Sequence, residues 1–141
     1  PVIQCYCARV FHMGAAGQGL QAIMVNQICI SGLVQSLAEG LNFAVEVGLD
    51  TDKLLEAISG GAAQSWQMVN RGHTMVKGEF DFGFAVDWMR KDLRICIEEA
   101  KRNGALLPVT EIVAGYYAEL SANGHGRSDT SSLIQRLTKP R

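Results

Sequence analysis

The stretch LQAIMVNQICISGLVQSLAEGLNFAVEV, residues 20–47, determines the expected fold. Its apolar residues recur with the period of an α-helix and occupy more than half of the helix circumference. No Asp, Glu, Lys or Arg occurs from residue 10 to residue 38. A helix that is apolar on most sides is enclosed by other helices, and this one would be about 40 Å long. The stretch therefore predicts a long central helix that is buried by its neighbours.

Shorter helical patterns follow this stretch, each bounded by a capping residue, a glycine or a proline. No alternating pattern of the kind that indicates a β-sheet separates them. The segment GEFDFGF, residues 78–84, is predicted to be a loop, and Trp66 and Trp88 are expected in the core or at an interface. We therefore predict an all-α fold, a bundle of about six helices around one long central helix, with the further helices at residues 51–58, 63–76, 85–103, 109–122 and 130–137.

The residues before the long helix predict a different kind of element. Residues 8–13, ARVFHM, fit one short strand that ends at Gly14. A single strand cannot form a sheet alone. We therefore interpret residues 1–13 as the end of an N-terminal Rossmann domain and residues 14–141 as a helical substrate-binding and dimerisation domain. The chain is accordingly expected to be a piece of a longer protein.

The composition is typical of one globular domain. The chain has 141 residues, of which 48% are hydrophobic and 19% charged, and its net charge is −1. It has no basic footprint, so neither nucleic acid nor an anionic membrane is an expected partner. Gln, Asn, Ser and Gly interrupt the uncharged stretch, which favours a buried helix over a membrane span. The four cysteines form no C-x-x-C pair and the three histidines are scattered, so we expect no metal site and reduced, mostly buried thiols in a cytoplasmic protein.

Two features of the sequence near the start of the long helix point towards a site. The turn GAAGQG, residues 14–19, precedes a helix N-terminus, where anions bind readily. Its spacing is G-x-x-G-x-G, however, whereas a dinucleotide-binding loop has G-x-G-x-x-G inside a βαβ unit. A tight turn is therefore favoured over a pyrophosphate loop. The amides of Asn26 and Gln27 are the second feature, because a buried amide without a partner costs about 1–3 kcal/mol.

The run from residue 14 to residue 32 resembles the segment that opens the C-terminal domain of the β-hydroxyacid dehydrogenases, which include 3-hydroxyisobutyrate dehydrogenase and tartronate semialdehyde reductase. The family pattern there is similar to G-x-G-x-x-x-K-x-x-x-N, with a further Asn usually standing before the last one. Gly17 and Gly19 match its glycines, and Asn26 matches the first amide. Gln27 fills the last position, where some members also carry Gln, and Ile23 stands where the family has lysine.

Three further matches extend the resemblance from about residue 10 to the end of the chain. The triplets AEG at 38–40 and GLD at 48–50 resemble family motifs, and Phe84 with Lys91 matches the family's F-x₆-K-D-L. The resemblance implies the C-terminal domain of a 6-phosphogluconate-dehydrogenase-like fold that forms a dimer or tetramer through this half. It also implies oxidation of a small 3-hydroxy acid with NAD or NADP, which the N-terminal domain would bind for the most part.

The resemblance assigns roles to individual residues. Lys91 and Phe84 would lie near the nicotinamide, and Asn26 and Gln27 near the substrate. The two glycines of the motif, at 17 and 19, would line the substrate site. Asp92 is interpreted as structural. A lysine at position 23 would move the proton of the hydroxyl group, one helical turn from the amide at position 27.

Ile23 therefore raises a question about activity, because an isoleucine side chain cannot transfer a proton. Three explanations stay open. The isoleucine is a cloning or engineered change in an ordinary enzyme. It marks a non-catalytic family member that serves as an oligomerisation or small-acid-binding module. In the third explanation, another residue supplies the proton relay.

Overall fold

The computed structural model describes residues 2–138, apart from the side chain of residue 4, and contains no β-strand in that part of the chain. It confirms the predicted all-α bundle around one long helix. Five α-helices are followed by a shorter helix of the 3₁₀ type. The α-helices are α1 (Gln18–Glu46), α2 (Thr51–Ile58), α3 (Trp66–Lys77), α4 (Val86–Asn103) and α5 (Pro108–Leu120). Short helical turns lie at Ile3–Cys5 and Ser121–His125, and the last helix is Thr130–Arg136.

Local capping explains most of the helix boundaries. The Asp50 carboxylate accepts a hydrogen bond from the backbone N–H of Lys53 at 3.1 Å and caps α2. The hydroxyl of Ser65 does the same for Met68 at 3.0 Å, so α3 begins three residues later than predicted. Gly104 adopts a left-handed φ of 82° at the end of α4. The segment at 78–84 is a loop, as predicted.

The last helix differs from its prediction. Thr130–Arg136 is a 3₁₀ helix rather than an α-helix. Its first turn is buried, and the Asp129 carboxylate accepts hydrogen bonds from both the N–H and the hydroxyl of Ser131. Short polar side chains that bond to the nearby backbone compete with α-helical geometry. Between the last two predicted helices, the chain partly continues α5 as a π-helical turn at Ser121–His125.

Helix α1 contacts each of α2 to α5 and the 3₁₀ helix, as a central helix should. The core is formed by one face of its second half together with apolar side chains of the other helices, among them Val34, Leu41, Met89, Leu93 and Tyr117. The prediction that α1 is enclosed all round is wrong for its first turns. Val25 is 60% exposed and Leu20 is 66% exposed. The buried residues of α1 begin at Gln27. Beyond it one face still stays exposed, with Leu33 at 45% and Phe43 at 66%.

Three smaller expectations also change. Residues 9–13 are exposed and form no strand, since a strand needs a partner and none of the described residues pairs with them. Cys7 and Cys29 are exposed, so the thiols are not mostly buried, although Cys96 is. Trp66 and Trp88 are exposed, which excludes the core and leaves the interface that the sequence also allowed. Helix α1 is long and apolar enough to cross a membrane by length and composition alone, but its buried face gives that composition a role within the bundle.

Candidate functional site

A cavity of about 250 Å³ lies between α1 and α4. The side chains from α1 recur every three or four residues and therefore share one helix face, and those from α4 do the same. Together they are Leu20, Ile23, Met24, Gln27, Lys91, Asp92, Ile95 and Cys96. The structure thus brings together positions 23 and 27, which the sequence predicted for catalysis, and position 91, which it predicted for the nicotinamide. The first and second of these stand on α1, and the third stands on α4.

A chain of polar contacts crosses the cavity from one helix to the other. The side chain of Gln27, only 8% exposed, donates a hydrogen bond from Nε2 to Oδ2 of Asp92 at 2.7 Å. The other carboxylate oxygen of Asp92 lies 2.7 Å from Nζ of Lys91. Asn26 is the outer end of this chain, since its Nδ2 donates to Oε1 of Gln27 at 3.0 Å. Of the two amides that the sequence predicted to be buried, only Gln27 is, and it is paired as its burial requires, whereas Asn26 is exposed.

Asp92 has a larger part in this site than the sequence indicated. Interpreted as structural, it joins Gln27 on α1 to the ammonium group of Lys91 on α4 and lines the cavity. A carboxylate is an acceptor that can serve both donors at once. The sequence offered one signal for this contact. The amide of Gln27 is predicted to be buried and needs a partner, and a Lys-Asp pair at 91–92 stands on another predicted helix.

The other wall of the cavity is apolar. Ile23 lines it with a side chain that is 58% exposed, one helical turn before Gln27. Cys96 lies at the buried side, and its Sγ is 3.6 Å from the carbonyl oxygen of Met24. Burial raises the pKa of the Cys96 thiol, and the nearby negative charge of Asp92 raises it further. The thiol is therefore protonated at neutral pH and is a poor nucleophile.

Phe84 lies immediately before α4 and does not line the cavity. Its side chain is 40% exposed, and that of Trp88 is 52% exposed. The ammonium nitrogen of Lys91 stands 5.9 Å from the centre of the Trp88 ring, within the range of a cation–π contact. The start of α4 thus presents the exposed ring of Trp88 next to the cavity's lysine, and Phe84 exposes a second ring just before the helix. The sequence interpretation missed Trp88, although its spacing of three residues from Lys91 placed the two on one helix face.

The two glycines of the motif stand at the start of α1, outside the cavity lining. Gly17 is the residue before the helix and has a φ of 94°, a conformation that favours glycine. A Cβ added at Gly19 would meet no atom of this chain within 4 Å. Contacts within the described chain therefore explain the glycine at position 17 and leave the one at position 19 unexplained.

A wider surface cleft of about 660 Å³ lies between α2 and α3. Four of its polar side chains pair with one another: Lys53 with Asp50 at 3.3 Å, and His73 with Asp52 at 2.9 Å. All four side chains are at least half exposed. None of the residues that the sequence predicted for a site lines this cleft, so the smaller cavity between α1 and α4 is the better candidate.

Comparisons with known proteins agree with the resemblance. The sequence profile described as "NAD-binding of NADP-dependent 3-hydroxyisobutyrate dehydrogenase" matches residues 17–137. The chain is 56% identical over 141 residues to an uncharacterized oxidoreductase of Shewanella frigidimarina, covering all of this chain and 48% of that protein. It is 40% identical over 131 residues to the probable 3-hydroxyisobutyrate dehydrogenase-like 1, mitochondrial, of Arabidopsis thaliana, covering 93% of this chain and 39% of that one.

A solved structure shows the same fold. The 3-hydroxyisobutyrate dehydrogenase of Mycobacterium tuberculosis, solved with L-serine, matches with a TM-score of 0.87 and 26% identity. The match covers 99% of this chain and 50% of that one, so the chain spans about half the length of its relatives or less. The profile, the relatives and the fold place the chain in the β-hydroxyacid dehydrogenase family, whose members use NAD or NADP.

Proposed function

We propose that this chain is the C-terminal, substrate-binding half of an NAD(P)-dependent dehydrogenase that acts on a small 3-hydroxy acid. The observation that carries the proposal is the cavity between α1 and α4, where Gln27, Asp92 and Lys91 meet across 65 residues of sequence. Sites for drug-sized ligands measure about 300–1,000 Å³, so a cavity of about 250 Å³ suits an acid of a few carbon atoms.

Different residues of the cavity would bind different parts of such a substrate. Lys91 supplies a positive charge for the carboxylate, and it is half exposed, so a ligand can reach it. Gln27 supplies an amide for the hydroxyl or carbonyl oxygen. Ile23 and Ile95 form an apolar wall for the carbon chain. Asp92 orients both polar groups through its two short contacts.

The residues at the start of α4 fit one end of a nicotinamide nucleotide. The exposed rings of Phe84 and Trp88 offer faces against which a flat ring can pack. Residues 2–138 contain no βαβ unit, so the pyrophosphate would be held elsewhere in a longer protein. When bound, the nicotinamide supplies the hydride chemistry, and this chain contributes the binding and orientation of the substrate.

Ile23 is proposed to occupy the position of the family's catalytic lysine. Its side chain lines the cavity and adjoins the turn of Gln27, where a lysine would meet the substrate. Since isoleucine cannot exchange a proton, the protein with Ile23 is expected to oxidise its substrate slowly. The second candidate function is a non-catalytic member that binds small acids or serves for oligomerisation, favoured by a cavity that keeps Lys91, Asp92 and Gln27 but has an apolar group at position 23.

Two further features of the whole protein belong to the proposal. A homodimer or tetramer is proposed, because α1 exposes apolar side chains along its length, among them Leu20, Leu33 and Phe43, and extended exposed apolar surface marks an interaction site. A cytoplasmic location is proposed, because the cysteines are expected to be reduced and reduced cysteines are typical of cytoplasmic proteins.

Two measurements test the proposal. The complete two-domain protein should reduce NAD or NADP, however slowly, with at least one member of a panel of 3-hydroxy acids, followed by the absorbance of the reduced nicotinamide. Binding of an acid from the panel without any turnover would favour the non-catalytic candidate. This chain alone should not bind NAD or NADP tightly in titration calorimetry. A micromolar dissociation constant would contradict the proposal that the nucleotide is bound mainly outside this chain.

A further inference from the structure

Asp129 is a buried carboxylate outside the cavity, and the proposed function does not use it. It is 1% exposed and lies just before the last helix. Its Oδ1 accepts hydrogen bonds from three donors: Nε of Arg71 at 3.1 Å, the N–H of Ser131 at 3.1 Å and the hydroxyl of Ser131 at 2.6 Å. Its Oδ2 accepts one, from the backbone N–H of Phe84 at 2.9 Å.

That last contact ties Asp129 to the aromatic residue in front of α4. The main chain adds to the tie, since the N–H of Thr130 donates to the carbonyl of Phe84 at 2.9 Å. The N–H of Asp129 donates to the carbonyl of Phe80, also at 2.9 Å. The loop that carries Phe84 is therefore held at two points by the segment around Asp129.

The anchoring side of this arrangement is rigid. The hydroxyl of Tyr117, a fully buried side chain of α5, donates to the carbonyl of Thr130 at 3.2 Å. The guanidinium of Arg71 pairs with the carboxylate and stacks 4.9 Å from the ring centres of both Trp66 and Phe82. Asp129 thus sits between buried elements on one side and a surface loop on the other.

Gly83 adapts the loop to the carboxylate. Its φ is 71°, in the left-handed region. A Cβ at this position would overlap the Asp129 carboxylate and approach Nη2 of Arg71 to 2.9 Å. The close approach of the loop therefore depends on a residue without a side chain.

We propose that Asp129 is a positioning residue that holds Phe84 in place for the nicotinamide ring. The proposal rests on the proposed function, in which the exposed ring of Phe84 packs near the nicotinamide. The Phe84 N–H needs an acceptor at Oδ2, and Asp129 provides it through a carboxylate whose other oxygen is fixed by three donors. Phe84 itself contacts the cofactor, and Asp129 acts through it.

Replacing Asp129 by asparagine isolates this contact. Three donors hold an acceptor at the Oδ1 position, so the amide oxygen stays there and the amide NH₂ group faces the N–H of Phe84. Two donors then face each other, so the Phe84 N–H loses its acceptor while the side-chain volume is unchanged and the bond from Thr130 to the Phe84 carbonyl stays. Gly83→Ala disturbs the same contact from the loop side and serves if Asp129→Asn folds poorly.

The test uses the complete dehydrogenase, with NADH and NADPH binding followed by tryptophan fluorescence. Asp129→Asn and Gly83→Ala should each weaken binding about tenfold, as a misplaced binding group does. Asp87→Asn is the matched control. It changes a carboxylate at the same end of α4 that bonds to Ser121 and Arg90 rather than to Phe84, and nucleotide affinity should be unchanged.

A double-mutant cycle and amide exchange separate positioning from mere stabilisation. Phe84→Ala should also weaken binding, and combining it with Asp129→Asn should add nothing, because both remove one function. Losses that multiply would overturn the proposal, as would unchanged amide protection of residues 80–86 in Asp129→Asn. Unchanged affinity in Phe84→Ala, with faster exchange in Asp129→Asn, would instead overturn the nicotinamide contact of the proposed function.

Discussion

Replacing Ile23 by lysine is the sharpest test of the candidate site. In the complete protein we expect Ile23→Lys to raise turnover on the right 3-hydroxy acid by about 10²–10⁴-fold, the usual contribution of a placed acid–base group. The introduced ammonium group would stand one helical turn before Gln27, on the α1 face that lines the cavity. There it would be within reach of the substrate hydroxyl that Gln27 is proposed to hold.

The structure also sets the expected cost in stability. Ile23 is 58% exposed, so about two-fifths of its side chain is buried. Full burial of an isoleucine stabilises by about 1.5–3 kcal/mol, so losing this share should cost no more than about 1 kcal/mol. The aliphatic part of the lysine would cover some of the same surface. We therefore expect the melting temperature to fall by no more than roughly 5 °C.

The assay compares initial rates of nicotinamide reduction and melting curves for the original protein and Ile23→Lys. Gln21→Lys is the matched control, because residue 21 is a polar residue exposed on the same helix and does not line the cavity. It adds the same charge and should leave turnover unchanged. A stable Ile23→Lys variant without a gain in turnover would refute the proposed role of position 23. A loss of several kcal/mol would show that the position is buried core in the complete protein.

Three further predictions concern the helices around the cavity. Gln27→Leu should lower the free energy of unfolding by about 1–3 kcal/mol in urea titrations, because Asp92 loses a donor. Gln35→Leu is the control, because Gln35 is equally buried on α1 but its amide oxygen has no partner. It should lower the free energy of unfolding by less, and equal losses in the two variants would contradict this reasoning. Light scattering should show a dimer or larger assembly at tens of micromolar, and a monomer would oppose the proposed interface. In peptide mapping, the thiol of Cys96 should be alkylated at about one tenth of the rate of the exposed Cys29, or more slowly still. Burial and the neighbouring carboxylate raise the pKa of Cys96 and so reduce the fraction of reactive thiolate. Equal rates would mean that the cavity opens in solution.

Much of the fold could be predicted because the signals are local. Helical periodicity, the cap at Asp50 and the glycine at position 104 act within a few residues, and the structure places helix boundaries near them. The start of α3 was predicted too early, because the capping hydroxyl of Ser65 was overlooked. The last helix was given the wrong type, because the buried Asp129 redirects its first turn.

The site was predictable only in part. The motif resemblance selected Gln27 and Lys91, and the structure places both at one cavity. It did not show that Asp92 joins them, nor that Trp88 stands beside Lys91. These contacts depend on how two helices face each other, and no pattern within either helix records that.

By itself, the sequence determined the helical class, the long apolar helix, the family resemblance and the absence of a lysine at position 23. The tertiary structure alone decided which side of α1 is covered, which polar groups pair across 65 residues, and that Ile23 lies at an accessible cavity wall. The physical reason is the range of the forces involved. Helix formation and capping depend on neighbours along the chain, whereas burial and long-range pairing exist only after the helices have packed.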